Sequence, residues 1–158
     1  MSKTNTVLLA TLMVGMIISF GCNKSTKQSD YKSTSQVTDI DGNVYKTVTI
    51  SKQEWTAENL NVEHYSNGDV IPQVQENEEW SNLTTGAWCY YKNKSSNGKT
   101  YGKLYNWYAV NDSRGLAPKG WHVPSDKEWT QLTDYLGGYK VACGKLKATT
   151  LWESPNTG

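Results

Sequence analysis

The chain has 158 residues, enough for one domain of ordinary size, with 16 Lys and Arg against 15 Asp and Glu and a formal net charge of +1. That balance excludes a basic nucleic-acid surface or an acidic tail as the governing feature. Seven Trp, ten Tyr and one Phe exclude a disordered polar chain, and they imply a core filled largely by rings.

Residues 1–21 read as a lipoprotein signal peptide. Lys3 is the lone charge, and Val7 to Phe20 is apolar apart from Thr11, Gly15 and Ser19. The run is short for a transmembrane helix, which needs about 20 apolar residues. Gly21 precedes Cys22, and the polar stretch Asn23-Lys24-Ser25-Thr26 follows. This pattern resembles a bacterial lipobox, with Ser19 where Leu is usual. Cleavage before an acylated Cys22 is therefore expected. The partner is then a lipid bilayer reached through Cys22, and the chain is exported to the bacterial outer membrane or cell surface. Two or more acyl chains anchor stably, at roughly 0.8 kcal/mol per buried CH2. Residues 22–36 are rich in Ser, Thr and Lys and read as a flexible tether.

Residues 37–158 carry the folded part. Val37 to Ile50 is β-branched around Asp41-Gly42-Asn43, which predicts a β-hairpin. Asp39, Asp41 and Asn43 mimic the start of a calcium loop, but the twelfth position is Ile50, so a turn is expected and no metal. Trp55–Leu60 and Tyr65–Pro72 predict short strands with a turn at Asn67-Gly68. A short helix is expected near 76–82, a strand at 86–91 and a polar loop at 93–100. Tyr101, Tyr105 and Tyr108 are spaced as on one helical face, which predicts a core stripe. The strongest local signal is Ser125 with Glu128 three residues later, a capping box, followed by Trp129, Leu132 and Leu136 and then Gly137-Gly138. It predicts a helix at 125–136, with a shorter one at 141–147.

Together, Val37-Thr-Asp-Ile-Asp-Gly-Asn-Val-Tyr-Lys-Thr-Val, Trp55-Thr-Ala-Glu-Asn-Leu60, Tyr101-Gly-Lys-Leu-Tyr-Asn-Trp-Tyr-Ala-Val110, Gly120-Trp-His-Val-Pro-Ser-Asp-Lys-Glu-Trp129 and Leu136-Gly-Gly138 resemble the Fibrobacter succinogenes major paralogous domain. The Gly120 block is also similar to one in formylglycine-generating-enzyme-like domains. The resemblance implies an α+β, C-type-lectin-like fold with short antiparallel strands, two helices and long loops. It also implies that the family domain continues past Gly158, so residues 37–158 are expected to be its N-terminal part.

The functional expectation is a membrane-anchored, non-catalytic lectin-like module that binds glycan or a surface protein, with no cofactor and no nucleic acid. Trp88, Trp107 and Trp152 are candidate stacking residues, set against a core role for the same rings. Cys89 and Cys143 are a candidate disulfide, with two unpaired thiols as the alternative. His64 and His122 lack the motif context of a catalytic site, and His122 reads as structural. The alternatives are a truncated paralogue without autonomous function and, last, a formylglycine-generating-enzyme-like enzyme.

Overall fold

The computed structural model describes residues 4–6 and 35–147. Cys22 and Trp152 lie outside the described residues. The fold is α+β, as expected from the sequence. Its strands are β1 (Thr4–Thr6), β2 (Gln36–Thr38), β3 (Val44–Ile50), β4 (Gln53–Thr56), β5 (Trp88–Cys89), β6 (Leu104–Tyr105) and β7 (Trp121–His122). Its helices are α1 (Asn77–Asn82), α2 (Gly98–Tyr101), α3 (Trp107–Val110), α4 (Asp126–Tyr135) and α5 (Tyr139–Leu146). The main sheet runs β2-β3-β4-β1-β7, and β5 with β6 forms a separate ribbon. The sheet is not purely antiparallel, because β1 runs parallel to both of its neighbours. Among the described residues only α4 and α5 reach eight residues; the sequence predicts both, and it also predicts the short α1 near 76–82. Among the described residues no helix is long and apolar enough to cross a membrane.

The predicted hairpin forms, with Val37 opposite Tyr45 and Thr38 opposite Val44. Its turn is built by the buried Asp39 side chain. Oδ1 accepts from the amides of Asp41 and Asn43, both at 2.9 Å, and Oδ2 accepts from Asn43 Nδ2 and the Tyr45 hydroxyl. Asp41 turns away and meets the Nδ1 of His64 and the Glu63 amide. The residues that mimic a calcium loop thus face protein donors.

Side chains alternate across β3, and the alternation separates two cores. Tyr45 faces a cluster with Leu60, Val62, Tyr65, Ile71, Trp88, Ala109, Leu116 and Ala117. Val48 and Ile50 face the other side, packing with Trp55, Leu132, Leu136, Ala142 and Leu146. Helices α4 and α5 supply that second cluster. Trp129 lies tilted against Trp55 with ring centroids 4.9 Å apart. Gln53 Nε2 donates to the carbonyl of Glu128 and ties β4 to α4. The capping box at Ser125 and Glu128 is complete. His122 Nε2 also meets Glu128 Oε1 at 2.7 Å, which gives this histidine a structural partner. Burial alone would raise the Glu128 pKa; the Ser125 amide and hydroxyl, with His122, outweigh it and hold the carboxyl below its ordinary value.

The first core is aromatic and contains a buried cation. Lys103 is 3% exposed. Its Nζ donates to the Asn61 carbonyl at 2.7 Å, pairs with Glu63 at 3.2 Å, and stands over the Trp88 ring at 4.6 Å. Trp88 itself is 5% exposed, and its Nε1 donates to the Ile71 carbonyl. A buried charge needs this many partners to offset its desolvation.

The stretch 101–110 departs from the single helix that its tyrosines predict. Gly102 has φ +66°, which ends α2, and an added Cβ there would stand 2.5 Å from the Leu60 carbonyl oxygen. The chain then pairs as β6 and restarts as α3 at the Asn106 cap. Tyr105 donates its hydroxyl to the Val62 carbonyl, while Tyr108 reaches the surface. The predicted polar loop at 93–100 is also more ordered than expected: a 3-10 turn at Ser95–Asn97 leads into α2.

Leu132 is fully buried between the sheet and α5, so Leu132→Ala removes its packing and leaves a cavity. Urea unfolding followed by tryptophan fluorescence should show a loss of about 2–5 kcal/mol, with Ser125→Ala costing only about 1 kcal/mol.

Candidate functional site

Next to the aromatic core, a surface cleft of about 290 Å³ opens between residues 84–86 and 107–114. Asn106 shapes it. Its Oδ1 accepts from Ala109 N–H at 2.9 Å, which caps α3, and from Ala87 N–H at 3.1 Å. Its Nδ2 donates to the Thr85 carbonyl at 2.8 Å. One side chain therefore fixes both walls, since Thr85 belongs to one and α3 to the other. Gly86 lets the walls approach: an added Cβ would lie 1.8 Å from the Tyr65 hydroxyl and 3.0 Å from the Ala109 Cα.

The far end of the cleft is held by Arg114. Its Nε and Nη2 donate to the two oxygens of Asp112 at 2.9 and 2.8 Å, a bidentate fork. Its Nη1 donates to Asp69 at 2.9 Å, and the guanidinium lies 3.9 Å from the centre of the Tyr65 ring. Hydrogen bonds from Arg114 hold Asp112 down at about 2 and hold Asp69 below its ordinary value. The same bonds raise the Arg114 pKa. Below the cleft floor, the Tyr65 hydroxyl is buried without a hydrogen-bond partner, and burial raises its pKa. Two carboxylates share one guanidinium, so the clamp carries a net negative charge and offers no unpaired cation to an anionic ligand.

The rim is aromatic. Trp107 is 66% exposed and Tyr108 is 39% exposed, with their rings edge to face at 5.4 Å. Thr84, Thr85, Asn111, Asp112 and Ser113 supply polar groups beside them. A flat ring next to hydroxyl, amide and carboxylate groups is suited to a ligand with one apolar face and a polar edge.

Of the three tryptophans expected to stack, Trp107 lines this cleft and Trp88 fills the core. Trp152 lies outside the described residues, as does Cys22. The candidate disulfide is not formed: Cys89 and Cys143 are free thiols, the first half-buried in β5 and the second exposed on α5. Burial raises the Cys89 pKa, which favours the thiol over the thiolate. Among the described residues no group of three or more His, Cys, Asp or Glu side chains is arranged to hold a metal ion.

Sequence reading missed Asn106, Gly86 and the Asp69–Arg114–Asp112 clamp. A signal for the first was present. Asn is a preferred N-cap, and Asn106 followed by Trp107-Tyr-Ala-Val110 marks a new helix start. The clamp had no such signal, because Asp69 and Arg114 are 45 positions apart.

These features define an α+β domain with an aromatic-rimmed polar cleft. The model of the Fibrobacter succinogenes major domain matches residues 48–157, and the chain belongs to that family. The match takes in β4, both walls of the cleft and α4. No curated protein and no solved structure matches the chain.

Two outcomes follow from this geometry. Asn106→Ala removes a cap and two bridging bonds, and it should cost about 1–3 kcal/mol in denaturant unfolding. Asn106→Asp keeps Oδ1 but loses the bond to Thr85, so it should fall between wild type and Ala. Asp112 and Asp69 have depressed folded-state pKa values. Their contribution to stability is therefore present above the ordinary value of 3.8 and is lost as pH falls below it, for Asp112 as pH approaches about 2. A carboxyl-carbon NMR titration should place Asp112 near 2, and Arg114→Gln should return it toward 3.8.

Proposed function

We propose that the protein is an exported, lipid-anchored surface module that binds neutral carbohydrate without catalysis, and that its fold is C-type-lectin-like. The single observation that carries the binding reading is Trp107, a large ring left mostly exposed at the rim of a polar cleft. An indole in that setting can stack on the apolar face of a sugar ring, while Asn111, Ser113 and the Thr84-Thr85 segment address its hydroxyls. Arg114 already satisfies two carboxylates, which favours an uncharged sugar over an acidic one.

The same clamp supports a non-catalytic role. Asp112 is the carboxylate that lines the cleft, and Arg114 keeps it ionised throughout the neutral range. It is thus a poor general acid, and among the described residues no second carboxylate lines the cleft to complete an acid–base pair. Anchoring rests on the leader ending at Gly21 before Cys22, and on the polar tether after it. The balanced charge gives no reason to expect nucleic acid as a partner.

The reading is tested on two fronts. In bacteria, labelled palmitate should enter the chain and should be lost in Cys22→Ala. On a glycan array, neutral oligosaccharides should bind, and Trp107→Ala should weaken them at least about tenfold, as expected for a lost aromatic contact near 1.4 kcal/mol. The variant should keep the wild-type melting temperature because the ring is mostly exposed. Retained binding in Trp107→Ala would refute the cleft as the site.

A further inference from the structure

The aromatic core brings an amine, an amide and a carboxylate into contact. The amine is the buried Lys103, whose Nζ has three hydrogens to place. They meet the Asn61 backbone carbonyl at 2.7 Å, Asn61 Oδ1 at 3.0 Å and Glu63 Oε1 at 3.2 Å. The ring centres of Trp88 and Tyr90 lie 4.6 and 5.4 Å from the same nitrogen. A carboxylate alone would complete an ion pair. Here a side-chain amide from 42 positions away is aimed at the nitrogen as well.

Both residues are pinned at the backbone. The Lys103 N–H donates to the Leu60 carbonyl at 3.1 Å, and the Asn61 N–H donates to the Tyr45 hydroxyl at 2.9 Å. Groups held together in this way react as one molecule, without the entropy cost of an encounter. Asn61 Cγ lies one bond, about 1.2 Å, beyond Oδ1. A turn of the amide plane presents the face of Cγ to Nζ, near the roughly 3–3.5 Å of a near-attack pair.

We infer that Lys103 and Asn61 are the site of an intramolecular isopeptide bond, closed with Glu63 as the proton carrier. Glu63 takes one proton from the Nζ ammonium and frees its lone pair. Nζ attacks Asn61 Cγ, a C–N bond forms, and the carbonyl pair moves onto Oδ1. Glu63 gives its proton to Nδ2, Oδ1 returns the pair, the Cγ–Nδ2 bond breaks and ammonia leaves. The surplus proton on Nζ passes through Glu63 to the ammonia. An ammonium group and a primary amide thus become a secondary amide and an ammonium ion, and nothing is oxidised or reduced. Glu63 is half exposed, so the released proton and ammonia have a route to water. The bond ties the segment after β4 to the start of β6. It does not involve the Trp107 cleft, and the two readings succeed or fail independently.

The test is a peptide map of the purified full chain by mass spectrometry. The wild type should yield a branched peptide joining the Asn61 and Lys103 segments, lighter than their sum by one ammonia. Lys103→Arg keeps the cation but should yield only the separate peptides. Glu63→Gln, at a half-exposed position, should slow closure at least about a hundredfold in freshly made protein. Separate, unmodified Asn61 and Lys103 peptides in the wild type would overturn the inference, leaving a structural ion pair. So would an ammonia loss that persists in Lys103→Arg, because backbone cyclisation at Asn67-Gly68 or Asn97-Gly98 would then be its source. Equal closure in Glu63→Gln would overturn the assigned chemistry. If Lys103→Arg fails to fold, Asn61→Ala serves as the unlinked control and is read in the same way.

Discussion

The side chain of Asn106 bonds to three backbone groups in two chain segments, and the candidate site depends on that arrangement. It stops the preceding strand, starts α3, and holds Thr85 and Ala87 against the new helix. Because α3 begins there, Trp107 falls at its first position and turns outward, whereas Ala109 turns inward under Gly86. A helix running unbroken through 101–110 would place these residues on different faces. The exposed indole is therefore a consequence of a cap, and the cap is a consequence of one amide that both donates and accepts.

A chain poor in aliphatic residues must fill its interior by other means, and the first core shows how. Tyr45, Tyr65 and Trp88 fill the space, and their polar atoms and ring faces need partners. Asp39 accepts from the Tyr45 hydroxyl, Ile71 accepts from the Trp88 indole, and Lys103 stands over the Trp88 ring. Arg114 does the same for Tyr65 from the surface side. Each ring thus brings a polar or charged group with it, and the polar cleft is continuous with the aromatic core beneath. The second core is built differently. Val48, Ile50, Leu132, Leu136 and Leu146 make it mostly aliphatic, with Trp55 and Trp129 as its rings.

What the sequence made legible follows from how local each signal is. The 37–50 hairpin, the turn at Asn67-Gly68 and the capped helix at Ser125 are encoded within a few residues, and each appears where the residues place it. The aromatic spacing at 101–110 misled, because a period of three to four carries no information about a positive φ at Gly102. Trp107 was legible as a candidate, but its separation from Trp88 was not, since burial is decided by contacts between distant segments. The Arg114 clamp joins residues far apart in the chain and leaves no local trace. Strand β1 is the extreme case: its partners lie some fifty and more than a hundred positions away.

The most direct test of the central claim is a titration of the indole N–H resonances with neutral oligosaccharides. Seven tryptophans give seven reporters, and those among the described residues lie in both cores and at the surface. The account predicts that the Trp107 resonance shifts saturably, with backbone shifts confined to 84–86 and 107–114, while Trp55, Trp88 and Trp129 stay in place. Saturable shifts centred on another tryptophan, or no shift with any neutral sugar, would contradict it.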